Sequence, residues 1–310
     1  MTVHLGVVGL GWLGASLVKD AVASDDYSVV AVQDVVPDRA RAAAERYNVP
    51  WSSEGFDDLL GRPEIDAVLI CTPNALHPTQ AQAALKAGKH VLVQKPLALT
   101  RRDAEATLAA AERAERLLFV DYTYRFLETM RTLQRHMPPN TQIRGVRTAF
   151  HNMYGPGADK RWFFIPDLSG GGALTDLGVH LLDLVLWVLR PVGVRLESVS
   201  ISRDGPVETM AALDLVADGI PVHLEVSWNA PVPQTEISFE VQLAAATLRW
   251  ENVDGSFFHF RTSIGDRVVA DRETTLRDDT LCAFKLALDA GKAPEVDTRV
   301  YALLDQAYGR

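Results

Sequence analysis

The chain has 310 residues, 47% of them apolar and 23% charged, and a net charge of −9, so no basic half exists to bind nucleic acid or an anionic membrane surface. Its two cysteines, Cys71 and Cys282, exclude a disulfide framework and a thiolate metal cage, and no metal site is expected. The length suits two ordinary domains, and a strand that starts almost directly after Met1 leaves no room for a signal peptide, so a soluble, cytoplasmic protein is expected.

The chain opens on VHLGVVGLGWLG, from Val3 to Gly14. A short apolar run is followed by Gly9, Gly11 and Gly14 in G-x-G-x-x-G spacing, then by a helical pattern through Leu17, Val18 and Ala21. Strand, glycine turn and helix is the order that a dinucleotide fingerprint needs. Gly9 makes the tight turn, Gly11 lets the backbone approach a pyrophosphate, and Gly14 lets helix and strand pack closely. The start of the helix directs its N–H groups at the phosphates, which places Leu10, Trp12 and Leu13 beside the cofactor as well. A second apolar strand, Val29 to Val32, ends in Gln33-Asp34. Asp34 lies about twenty residues beyond the last glycine, where a carboxylate takes the ribose hydroxyls. That charge favours NAD over NADP, whose 2′-phosphate it would repel, although Arg39 and Arg41 follow closely.

A helix over 38–47 and a shorter one near 57–60 lead to the continuous apolar strand Ala67 to Cys71, which ends in Thr72-Pro73-Asn74. The next helix starts near Pro78 and stops at Gly88, a glycine placed as a C-terminal cap. Strand His90 to Val93 runs into Gln94-Lys95-Pro96, and Thr100 with Asp103 stands at capping-box spacing ahead of a helix over 101–116. With a last strand at 117–120, this alternation predicts a doubly wound parallel sheet, a Rossmann domain over residues 1–120 that binds a dinucleotide.

Beyond residue 120 the rhythm changes. Segments 144–152, 194–203, 208–217, 220–228, 235–243, 246–251, 257–261 and 267–270 are β-rich and separated by turn residues. Helices are predicted over about 174–190, 278–290 and 298–308. Residues 121–310 thus read as an α+β substrate-binding domain, an open, mainly antiparallel sheet flanked by helices, with one face covered and the other wet or paired with a second subunit. The apolar run Leu181 to Leu189 is interrupted by Asp183 and too short to span a bilayer. Asp176 and His180 are four residues apart, so a helix places them one turn from each other, a pairing suited to proton exchange near neutral pH.

Three more stretches carry information: CTPNALH at 71–77, GKHVLVQKPL at 88–97 and GGGALTDLGVH at 170–180. Together with the glycine turn they resemble the Gfo/Idh/MocA family of nicotinamide-dependent oxidoreductases. The resemblance implies hydride transfer between nicotinamide and an alcohol carbon of a sugar, sugar acid or cyclitol. It places Lys95 at the nicotinamide and the reacting hydroxyl, His180 as the acid/base and Asp176 beside it. It puts Thr72, Pro73, Asn74 and His77 in a loop over the ribose and nicotinamide. Arg125, Tyr154, Lys160, Arg161 and Trp162 fall in segments that approach the substrate in relatives, and a homodimer or homotetramer through the C-terminal sheet is implied. The family's usual glutamate before the lysine is Gln94 here, so an anion beside the ammonium is missing. That departure leaves open a glycosidase-like or eliminating enzyme with tightly held NAD, or an NAD-binding sensor without turnover.

Overall fold

The computed structural model describes residues 1–153, 158–229 and 234–310, apart from the side chains of Ala158, Asp159 and Asp278. Two compact units divide the chain: Met1–Asp121 with Thr280–Val296, and Tyr122–Asp279 with Asp297–Arg310. The return of 280–296 to the first unit is a long-range association that a reading in two consecutive segments does not contain.

In the first unit, β1 (Val3–Val8), α1 (Trp12–Val22), β2 (Tyr27–Gln33), α2 (Pro37–Tyr47), β3 (Ser52–Ser53), α3 (Phe56–Leu60), β4 (Ala67–Ile70), α4 (His77–Lys86), β5 (His90–Gln94), α5 (Arg101–Ala114) and β6 (Leu118–Asp121) alternate, and all but the two-residue β3 are as expected. The six strands lie in the order β3-β2-β1-β4-β5-β6, and all pair in parallel. β4 and β6 are buried at every residue, which is why β4 is an unbroken apolar run and β6 is apolar up to its last residue, Asp121, rather than alternating. The strand order reverses between β1 and β4, and ligands bind at the carboxyl ends of the strands at such a switch point. Thr100 caps α5 by accepting the Asp103 N–H at 3.2 Å.

In the second unit, α6 (Glu128–Arg135), β7 (Ile143–His151), α7 (Pro166–Ser169), α8 (Val179–Leu189) and the strands β8 (Val194–Arg203), β9 (Glu208–Ala217), β10 (Ile220–Ser227), β11 (Glu236–Leu243), β12 (Thr247–Asn252), β13 (His259–Ile264) and β14 (Arg267–Glu273) follow. The chain ends in α9 (Arg277–Ala290) and α10 (Arg299–Tyr308). The eight strands are ordered β14-β13-β12-β11-β7-β10-β9-β8. The sheet is mixed: β7 pairs with β10 in parallel while every other neighbouring pair is antiparallel. The helical run after β7 removes it from its neighbours in sequence, so it enters the sheet centre between strands formed much later. Helix α6, which the sequence pattern did not predict, lies against β12–β14, where the Trp250 indole N–H donates to Thr129 Oγ1 at 3.0 Å and the Thr262 hydroxyl to the Thr129 carbonyl at 2.6 Å. The helical run Pro166–Leu189 is long and apolar enough to cross a membrane, but 94% of that window is buried inside the fold, as in a core helix.

Alternation along β7, β9, β10 and β11 sends Val146, Phe150, Leu213, Leu215, Val222, Leu224, Ile237, Phe239 and Val241 to the core. The opposite face is polar. Across it the Ser198 hydroxyl donates to Asp214, and His223 bridges two strands, with Nδ1 2.7 Å from Asp214 Oδ1 and Nε2 2.9 Å from Glu225 Oε1. These two hydrogen bonds, Asp214 first, hold the His223 pKa above its ordinary value. A histidine pKa raised by folding adds stability that is complete below the unfolded value of about 6.5 and vanishes as pH climbs through the raised one. Thermal melts at pH 6 and pH 9 therefore separate wild type from His223→Gln more at pH 6, and equal separations at both values contradict the bridge.

Candidate functional site

The glycine turn between β1 and α1 is built without spare room. Gly9 has φ +83°, and a Cβ on Gly14 would overlap the carbonyl oxygen of Gly9, so neither position accepts a side chain without a shift of the backbone. Above Gly11, in contrast, nothing lies within 4 Å of where a Cβ would stand, and this clear space beside the start of α1 fits the approach of a pyrophosphate. Asp34, at the end of β2, braces the turn. Its Oδ2 accepts the Leu10 N–H at 2.7 Å and its Oδ1 accepts the Val36 N–H at 2.9 Å. The Leu10 amide is thereby directed at Asp34. Trp12 and Val35 flank the turn, exposed to 59% and 81%.

The loops after β4 and β5 carry the remaining first-unit candidates. Thr72 donates its hydroxyl to Gln80 Oε1 at 2.5 Å, and Asn74 is buried. His77 is 1% exposed, with Nδ1 2.7 Å from the Pro96 carbonyl oxygen and Nε2 2.8 Å from that of Thr72. Burial pushes its pKa down, against the pull of the two carbonyls, and the Lys95 ammonium adds to the fall. The neutral imidazole that burial favours thus has one N–H to donate to one of these carbonyls, and both ring nitrogens face the backbone of the two loops. Lys95 is half-buried at the mouth of β5, directly after Gln94. Gln94 turns to a neighbouring strand, where its Nε2 donates to Asp121 Oδ2 at 2.6 Å.

In the second unit, Asp176 lies in a single π-helical turn, Leu174–Gly178, that runs into α8, and His180 is the second residue of α8. The expected regular α-helix over 174–190 is therefore wound more loosely where Asp176 sits, a distortion frequent at functional sites. His180 is buried against Tyr124, ring centroids 4.9 Å apart. The Trp228 indole N–H donates to Asp176 Oδ2 at 3.3 Å, and Trp228 packs on Phe164, with centroids 5.6 Å apart, and on Phe163, which stacks with Trp162 at 4.1 Å. Trp162 thus joins an aromatic cluster that reaches Asp176, while Arg161 is exposed and Lys160 half-buried. Tyr154 lies outside the described residues.

Two buried carboxylates hold this helix in place, and neither stands out in the sequence as functional. Glu208, on β9, accepts the N–H groups of Gly172 and Leu174 at 2.7 and 3.0 Å and the Tyr308 hydroxyl at 2.5 Å, placing an anion at the start of the helical run. Gly172 has to be glycine, since a Cβ there would overlap the Glu208 carbonyl oxygen. Asp183 takes a two-point contact from Arg125, Nε to Oδ2 at 2.5 Å and Nη2 to Oδ1. The expectation that Arg125 approaches the substrate gives way here: the guanidinium is buried, lies over the Tyr122 ring and is engaged by Asp183. A charge this well covered demands a counter-charge inside the fold. Among the described residues no cluster of three or more His, Cys, Asp or Glu side chains is arranged to hold a metal ion.

Residues 3–122 match a family described as oxidoreductases with an NAD-binding Rossmann fold, and residues 141–249 match the GFO/IDH/MocA C-terminal domain. The chain is 30% identical over 216 residues to a 1,5-anhydro-D-fructose reductase of Ensifer adhaerens, covering 69% of this chain and 64% of that one. It is 28% identical to D-xylose 1-dehydrogenase (NADP(+)) 2 of Haloferax volcanii, covering 94% and 91%. Several other curated relatives are matched over little more than half of their length. Among solved structures, KijD10, a 3-ketoreductase from Actinomadura kijaniata in complex with NADP and TDP-benzene, superposes with a TM-score of 0.84 at 22% identity, covering 100% of this chain and 98% of that one, which shows a shared fold.

Removing one partner of a buried ion pair costs about 3–5 kcal/mol, because the other charge stays behind unpaired. Arg125→Ala accordingly lowers unfolding stability by that order in guanidinium titrations, and Arg125→Met combined with Asp183→Leu recovers most of it. A loss below about 1 kcal/mol for the single variant, the range of a surface pair, contradicts the buried pairing.

Proposed function

We propose that this chain, which belongs to the GFO/IDH/MocA family of oxidoreductases, is an NAD-dependent dehydrogenase or reductase acting at an alcohol or keto carbon of a sugar, sugar acid or cyclitol. The observation that carries the reading is the set of groups at the carboxyl edge of the parallel sheet. The glycine turn with its clear space follows β1, Asp34 follows β2, Thr72 follows β4 and Lys95 follows β5. The names of the relatives, sugar and cyclitol dehydrogenases and reductases, support the substrate class.

The dinucleotide supplies two-electron redox chemistry at its nicotinamide ring. The protein's own part is binding, orientation and proton movement. The glycine turn and the start of α1 receive the pyrophosphate, and the Asp34 carboxylate, fixed by two backbone N–H groups, faces the ribose. Lys95 holds the reacting substrate oxygen and offsets negative charge as it develops there. His180 takes the proton from that oxygen during oxidation and returns it during reduction. Asp176, steadied by the Trp228 indole, stabilises the protonated imidazole. Thr72, Pro73 and Asn74 line the cofactor's path, and Trp162 offers a face for a sugar ring.

The preference for NAD rests on charge. Asp34 repels a 2′-phosphate, and the two residues after it are Val35 and Val36, neither of which brings a cation. Steady-state rates with both cofactors give a higher kcat/KM with NAD, and a strong NADP preference refutes the carboxylate argument. His180→Ala lowers kcat by about 10²–10⁴-fold on whichever compound of a sugar, sugar-acid and inositol panel reacts fastest, followed by NADH absorbance, while the Kd for NADH stays unchanged. Unaltered turnover removes His180 from the mechanism.

A further inference from the structure

Gln94 is the last residue of β5 and Asp121 the last of β6, and the two stand opposite each other in the parallel ladder. Both are buried. Asp121 Oδ2 accepts the Gln94 amide N–H at 2.6 Å, and Oδ1 accepts the Thr280 hydroxyl at 2.7 Å. A carboxylate only accepts hydrogen bonds, and both of these neighbours donate. The charge of Asp121 is also felt at the end of β4, where it adds to burial in raising the pKa of the Cys71 thiol. Lys95 is bonded directly to Gln94, so the hydrogen bond that anchors the Gln94 side chain to Asp121 holds the strand end next to the residue that carries the ammonium.

We propose that Gln94 and Asp121 are a matched pair in which one position holds the carboxylate and the other the amide, and that this pair, with Thr280, is the positioning device for Lys95. The inference rests on the role given to Lys95 above. A glutamate at position 94 would set two carboxylates at hydrogen-bond distance in a buried place, where both cannot stay ionised without moving apart. The buried anion beside Gln94 is Asp121, one strand over, and the Gln94 amide satisfies one of its oxygens. Exchanging the two chemistries restores the fit. An asparagine at 121 donates its amide N–H to a glutamate at 94, and its carbonyl oxygen accepts from Thr280.

The test is a mutant cycle in the full-length protein with Gln94→Glu, Asp121→Asn and the double exchange. Three readouts are taken: thermal melting, turnover on the fastest compound of the panel, and the rate of Lys95 labelling by trinitrobenzenesulfonate at one fixed pH, followed by peptide mass spectrometry. Gln94→Glu lowers the melting temperature, cuts kcat by about 10²-fold, the order expected for a misplaced catalytic group, and changes the rate of Lys95 labelling by several-fold. The double exchange returns all three to within a few-fold of wild type. A Gln94→Glu protein that matches wild type in melting and labelling, or a double variant no better than the single, overturns the pairing. Lys95→Ala separates this result from the reading beneath it: unchanged turnover in that variant rejects the role of Lys95, while melting and labelling of the cycle variants, all of which keep Lys95, still report on the pair.

Discussion

The first unit depends on a contact that leaves no space for a side chain. The carbonyl of Gly9 lies where a Cβ of Gly14 would be, so the chain can turn from β1 into α1 only with glycine at both places. Asp34 then locks the turn from the neighbouring strand through the amides of Leu10 and Val36. Strand, turn and helix are thereby rigid before any ligand arrives, which reduces the ordering that binding would otherwise require.

Buried carboxylates recur as fasteners throughout the chain. Asp34 and Glu208 each accept two backbone N–H groups, Asp121 accepts from an amide and a hydroxyl, and Asp183 faces a guanidinium. A buried anion is unfavourable unless its oxygens are satisfied, so each one selects a single local arrangement of the groups around it. In the second unit Glu208 fixes the start of the helical run, and Asp183, one turn beyond His180, fixes its middle. Tyr308, near the chain end, bonds both Glu208 and Thr175, which links α10 to the turn that carries Asp176.

The elements of the first unit were legible because each carries a local signature: unbroken apolar runs for covered parallel strands, Gly88 after a helix, Thr100 before one. The strands of the second unit were legible from alternation to within a few residues. Their pairing was not, since β7 joins β10 in parallel across 68 intervening residues, 152–219, and no local pattern encodes a partner that distant. Helix α6 escaped notice because its eight residues are too few to display several turns of periodicity. On the outer face of the sheet, hydroxyl, carboxylate and imidazole groups link β8, β9 and β10.

By itself the amino-acid order determined the fold class, the glycine turn, Asp34 at the end of its strand, the position of Lys95 after β5 and the spacing of Asp176 and His180. These depend on short-range geometry, what a turn permits and where a strand stops, whereas the π-helical winding at Asp176 is not readable from residue spacing. Only the tertiary structure decided what the buried polar side chains do. It set His77 between two backbone carbonyls, bound Arg125 to Asp183, aimed Gln94 at Asp121 and brought Trp228 to Asp176. A polar side chain taken out of water must find its partner in space, and folding brings that partner from anywhere along the chain.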